Sequence, residues 1–195
     1  MRTRNIDKEN LVKQKAIELI VKEGLEGFSM NKLAKACKIS VATLYIYYKD
    51  RDDLIIKIAC EEGKLMSDTM MSEFDCEANF EEGLRAQWES RYKFLINKPL
   101  LNSFFDQLQS STYQQQFAEA TNGYKDMVTR FVQNAISREE IDDLPLEVYW
   151  AIAFAPLYTL INFHHKGQSP TGGPFKMNDK LLWQTFDLVV KALKK

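Results

Sequence analysis

Glycine and proline are scarce in this chain, 8 and 5 among 195 residues, and alternating runs of Val, Ile and Thr are few. Sheet proteins need those turn residues and that alternation, so both shortages point to an all-α fold. Cysteine is scarce as well. Cys37, Cys60 and Cys76 are odd in number and lack metal-ligand spacing, which supports neither a disulfide framework nor a zinc site; free thiols in a reducing cytosol are expected. The His164-His165 pair has no carboxylate or cysteine at ligand spacing, so no metal is expected and the pair reads as helix-end histidines. No Gly-rich phosphate loop, paired acid/base motif or nucleophile signature occurs, so neither an enzyme nor a cofactor is expected. The N-terminus, MRTRNIDKEN, has no apolar core of a secretory signal, and the expected location is cytoplasmic.

Hydrophobic residues make up 45% and charged residues 27% of the chain, ordinary values for a globular protein with a proper core. The formal net charge of −1 does not advertise nucleic acid. Its distribution is more informative: residues 1–60 hold 12 Lys/Arg against 8 Asp/Glu, and residues 61–195 hold 14 against 19. A basic head on an acidic body suits contact with DNA at one end. One stretch tempts toward a membrane. Residues 148–165 carry no charged side chain over a length that spans a bilayer. They also include Pro156, Thr159, Asn162 and the histidine pair, without a flanking basic cluster. A buried or interface helix, and no membrane, is the expectation.

Residues 29–54, SMNKLAKACKISVATLYIYYKDRDDL, are the most informative segment. Met30, Leu33, Ala34 and Cys37 recur at steps of three and four, the spacing of one helix face. Ser29 precedes them as an N-cap, and Lys38-Ile39 forms the turn. Ser40 caps a second helix over about 41–47, whose Leu44 and Tyr48 can pack inward. Asp50 with Asp53 resembles a capping box opening the next helix. Two helices around so short a turn form a helix-turn-helix, which places its second helix in the major groove. Val41 and Ala42 are small enough to let that helix sit deep against thymine methyls. Thr43, Tyr45 and Tyr47 offer hydroxyls to phosphate oxygens, and Lys49 and Arg51 bring charge to the start of the next helix.

The string Ile39-Ser40, Ala42-Thr43-Leu44-Tyr45, Tyr47-Tyr48-Lys49 and Asp52-Asp53-Leu54 resembles the signature of the TetR (tetracycline-repressor-like) family of bacterial transcriptional regulators. The resemblance covers roughly residues 6–60. Carried over position by position, it adds Asn31 and Ser40 as contacts to the DNA backbone. Two positions depart from it. Many members have Gly where Lys38 stands, and a non-Gly residue there costs about 1 kcal/mol if its φ is positive. Lys or Arg is common where Val41 stands, so this helix has fewer long hydrogen-bonding side chains.

Residues 1–6 read as a disordered arm carrying Arg2 and Arg4. About nine helices are expected: 7–23 ended by Gly24, the two of the hairpin, 50–71, 79–97, 99–109, 113–137, 145–165 kinked at Pro156, and 178–193. In the fifth of these, Leu84, Trp88, Tyr92 and Leu95 form the inner stripe. The expected domains are a DNA-binding head, 1–50, and a body, 51–195. The resemblance implies that the body senses a small-molecule effector and dimerises through the helices at about 145–165 and 178–193. A homodimer would then read a near-palindromic operator, most simply as a repressor, and the effector would release it. Trp88, Tyr92, Phe104, Gln107, Tyr124, Phe131, Phe154 and Tyr158 are candidates to line an effector cavity; an ordinary core is the other reading of the same residues. Two alternatives stand beside the regulator: a small-molecule-binding helical protein or enzyme whose hairpin does not touch DNA, and a membrane-anchored helical protein using residues 148–165.

Overall fold

The computed structural model describes residues 6–195; Arg2 and Arg4 lie outside the described residues. Among the described residues there are nine helices and no strand. They are α1 (Ile6–Gly27), α2 (Met30–Cys37), α3 (Val41–Tyr45), α4 (Arg51–Ser72), α5 (Phe80–Leu95), α6 (Pro99–Gln109), α7 (Gln114–Ser137), α8 (Leu146–Lys166) and α9 (Asp179–Leu193). The all-α expectation holds. Gly24 has φ 77° and ψ 165°, so it breaks α1 where the sequence reading ended that helix, and a short helical turn follows to Gly27.

The chain divides into two compact units. The first runs to Lys64 and includes Leu100–Ala120; the second comprises Leu65–Pro99 and Thr121–Lys195. The first crossing between the units falls after Lys64, inside α4. Both α4 and α7 contribute residues to each unit.

In the first unit, α1 packs on α2 and α2 on α3. Ala16, Ile20, Leu33, Leu44, Leu54 and Ile55 are essentially buried at its centre. Leu108 and Phe104 of α6 are fully buried, and Phe105 stacks on Phe117 at 4.9 Å between ring centroids. In the second unit, α5 packs on α8 and α9, and α8 packs on α9. The Trp88 indole N–H donates to the Ala153 carbonyl at 2.8 Å, fixing α5 against α8. Gly83 makes a close approach possible: a methyl group there would overlap the Phe131 ring. Pro156 lies within α8, which runs through it as one helix rather than dividing. Gly167, in the left-handed conformation with φ 67°, caps α8 and returns its N–H to the His164 carbonyl. Among the described residues, α8 is the one helix long and apolar enough to cross a membrane, with mean hydropathy 1.3.

Candidate nucleic-acid interface

The hairpin is built by its caps. The Ser29 hydroxyl accepts from the Lys32 N–H at 3.3 Å, starting α2. Lys38 ends it in the left-handed conformation, φ 55° and ψ 41°, with its N–H directed at the Ala34 and Lys35 carbonyls. The positive φ is the condition under which a non-glycine residue was expected to cost free energy. Ser40 then starts α3 by accepting from the Thr43 N–H at 3.2 Å, and the two hydroxyls lie 2.8 Å apart. α3 ends at Tyr45, two residues before the expected end, though the Ile46 and Tyr47 N–H groups still reach back to the Thr43 and Leu44 carbonyls.

Only Leu44 of α3 is buried. Tyr45 is 53% exposed and Ile46 63%, and Asn31, Ser40, Ala42 and Lys49 are exposed as well. Val41, Thr43, Tyr47 and Tyr48 are half-buried. Leu44 anchors the helix while Ala42 and Tyr45 stay exposed, which is what a groove-reading helix requires.

The junction to α4 is tightly bonded. Asp50 Oδ1 accepts from the Asp53 N–H at 2.8 Å. The reciprocal bond of a capping box goes one residue further back: Asp53 Oδ2 accepts from the Lys49 N–H, also at 2.8 Å. Lys57 Nζ donates to the same Asp53 carboxylate at 2.9 Å. These donors, Lys57 first, hold the Asp53 carboxyl below the usual carboxylate range. Lys49 therefore gives its backbone to the cap and keeps its ammonium exposed.

Arg51 corrects the expectation of a phosphate contact. Its guanidinium turns inward, donating to the Phe28 carbonyl at 3.3 Å, the Leu25 carbonyl, the Tyr113 hydroxyl at 3.1 Å and Asp52 at 3.0 Å. Tyr113 in turn donates to Asp52 at 2.7 Å. Burial, then this bond, pushes the Tyr113 phenol up to about 12. Arg51 thus ties the Leu25–Phe28 segment to the start of α4, with four of its five N–H groups bonded within the protein.

The effector candidates are dispersed. Phe104 and Gln107 belong to the first unit, where the Gln107 amide donates to the Val21 carbonyl at 3.5 Å. The other six belong to the second. There Trp88 is bonded to Ala153 and meets Phe186 edge-on, while Phe131 packs between Phe74 and Phe80. These two are core residues. Tyr92 is half-buried, and Tyr124, Phe154 and Tyr158 group around a residue the sequence reading passed over, Arg91. Arg91 is fully buried. Its signal was present: Leu84, Trp88, Arg91 and Leu95 follow helical steps as well as the stripe through Tyr92, and the buried stripe is the one containing the arginine. Among the described residues, no group of His, Cys, Asp and Glu is arranged to hold a metal.

These features define a helix-turn-helix protein with a helical body. The family described as "Bacterial regulatory proteins, tetR family" matches residues 14–58, the segment from α1 to the first turns of α4. An HTH-type transcriptional regulator of Haemophilus influenzae is 33% identical over 92 residues, 47% of this chain and 49% of that protein, so the chain aligns with about half of this relative's length. The crystal structure of a TetR family transcription regulator from Marinobacter aquaeolei superposes with a TM-score of 0.82 at 22% identity, covering 100% of both chains. That of the regulator FadR from Bacillus subtilis, solved with stearoyl-CoA, gives 0.71 at 19%, covering 93% of this chain and 97% of its own. Residues 14–58 thus match the tetR family of bacterial regulatory proteins, and the fold of the chain is that of solved TetR family regulators.

Proposed function

We propose that the protein is a ligand-responsive transcriptional repressor that binds a near-palindromic operator as a homodimer. One observation carries the reading. α3 buries Leu44, leaves Val41 and Thr43 half-buried and turns Ala42 and Tyr45 outward. Ser40, Thr43, Tyr47, Asn31 and Lys49 surround that face with hydroxyl, amide and ammonium groups suited to phosphate oxygens, while Val41 and Ala42 offer methyl groups to base edges. Arg51 is left out of this set because four of its five N–H groups are bonded within the protein.

The dimer reading rests on the outer faces of α8 and α9. Val148, Ala151, Ala155 and Thr159 are exposed at helical spacing on α8, and Leu188 on α9 is 60% exposed. Two such faces from each of two copies make a four-helix contact, and a two-fold axis presents two α3 helices to successive turns of the duplex, roughly 34–36 Å apart. Effector binding in the body would favour a conformation with a different separation, so both half-sites are no longer engaged together. The acyl thioester bound by the FadR neighbour supports an organic effector of this kind.

The test compares the full chain with Tyr47→Phe and Lys49→Ala on a selected operator fragment over a range of salt. Loss of the Lys49 phosphate contact lowers the slope of log affinity against log salt by about 0.9, whereas loss of the uncharged Tyr47 hydroxyl weakens binding without changing the slope. Unchanged affinity and slope in both variants would remove the docking described.

A further inference from the structure

Arg91, on α5 in the second unit, has none of its surface exposed. Among the described residues no carboxylate pairs with it; the groups that favour its charge are the tyrosines 124, 158 and 149. Its Nη1 donates to the Tyr124 hydroxyl and, at 3.5 Å, to the Met70 sulfur. Tyr124 passes its own proton to Gln87 Oε1 at 3.2 Å, so this side of the guanidinium belongs to a closed chain of bonds. The other side does not. Nε and Nη2 are buried and have no acceptor among the described residues, and the buried Tyr149 hydroxyl has no partner among them either.

The chemistry of these three atoms is specific. Nε and Nη2 form one edge of the planar guanidinium, and their parallel N–H bonds match the two oxygens of a carboxylate. The rings around the cation, with Phe154 3.8 Å, Tyr124 4.9 Å and Trp150 5.4 Å from the guanidinium carbon to the ring centre, stabilise its charge through their faces. They accept no hydrogen bond in the guanidinium plane. A buried charge with unused donors is among the most destabilising groups a core can hold, and such a group persists where an ion completes it.

We infer that Arg91 is the anchor for the carboxylate of a small organic acid, bound through Nε and Nη2 and by a third bond from the Tyr149 hydroxyl. A single cation and three donors suit a singly charged carboxylate; a phosphate, with more charge and more oxygens, would need a second cation. The aromatic side chains flanking Arg91 select an acid with an apolar body. This assignment rests on the reading of the body as the effector-binding unit and names the chemical class it takes.

The test uses the full-length chain without DNA, following tryptophan fluorescence, because the Trp150 ring faces Arg91. Acetate, benzoate and octanoate are titrated against acetamide, benzamide and octanamide. At least one acid is expected to give a saturable change and to bind about 10- to 100-fold more tightly than its amide. Arg91→Met is expected to lose that preference and, without acid, to melt no lower than the native protein, since it removes an unpaired buried charge. Arg91→Lys keeps the charge but not the two-donor edge, and is expected to weaken the acid by at least about tenfold; it decides the matter if Arg91→Met does not fold. Equal binding of acids and amides, no binding of any acid at millimolar concentration, or unchanged acid affinity in the arginine variants overturns the assignment. Failure of the native protein to bind any operator would instead remove the repressor reading and leave acid binding standing.

Discussion

Replacing Lys38 by glycine should stabilise the DNA-binding hairpin. Lys38 sits at φ 55°, and its N–H closes the end of α2 on the Ala34 and Lys35 carbonyls, so the turn cannot relax without losing that cap. The left-handed conformation costs an L-residue about 1–2 kcal/mol, whereas glycine adopts it freely. Glycine also loses more backbone entropy on folding, about 0.5–1 kcal/mol. The exposed lysine side chain makes no hydrogen bond or ion pair among the described residues, so little else is forfeited. The balance is a gain of about 0.5–1 kcal/mol, which for a chain of this size raises the melting temperature by about 1–4 °C. Far-ultraviolet circular dichroism during heating measures it, with Lys38→Ala as the control that keeps a Cβ at positive φ. If Lys38→Gly melts at or below Lys38→Ala, the turn is not held in the left-handed conformation and the reasoning fails.

Four further outcomes are expected. Gly83→Ala drives a methyl group into the Phe131 ring and should destabilise by about 1–3 kcal/mol; Phe131→Leu in the same chain should restore part of that loss, as denaturant unfolding would show. Trp88→Phe leaves the Ala153 carbonyl without the indole bond and should cost about 1–3 kcal/mol, beyond what its small volume change explains. His164 accepts the Met177 N–H on Nδ1 at 3.2 Å, and burial, His165 and Lys176 hold its pKa below the ordinary value. A base with a depressed folded pKa contributes stability that is complete above its unfolded pKa of about 6.5 and lost as pH falls below it, so the native protein should weaken relative to His164→Gln on acidification, and parallel pH profiles would refute this. Leu188→Glu puts a charge on the exposed face of α9 and should shift sedimentation from dimer to monomer without lowering helix content.

The hairpin was legible in the sequence because its structure is local. Serines that cap, an apolar residue every third or fourth position and an aspartate pair at the next helix start all act within a few residues, and each caps or packs as its neighbours require. The body was legible only in part. Its helix boundaries follow from Asn79, Pro99, Pro145 and Asn178, but which side of a helix faces inward depends on neighbours far along the chain. Tyr92 and Arg91 show this: both fit a helical stripe through Trp88, and the apolar residue seemed the natural inner one, yet the arginine is the one enclosed by Tyr124, Trp150 and Phe154. Arg51 errs in the opposite sense. A basic residue beside a recognition helix reads as a phosphate ligand, but the carbonyls of Leu25 and Phe28 and the hydroxyl of Tyr113, which lies 62 residues further along the chain, take up its donors. The placement of residues 100–120 with the first unit depends likewise on long-range burial, of Phe104, Phe105 and Phe117.

The repressor account is tested most directly by selecting, with the purified full-length chain, fragments of its source organism's DNA at near-physiological salt. The account predicts enrichment of a near-palindromic sequence whose half-sites lie about one helical turn apart, with affinity that falls linearly in log salt. Recovery of fragments with no shared sequence, or binding indifferent to salt, would contradict it.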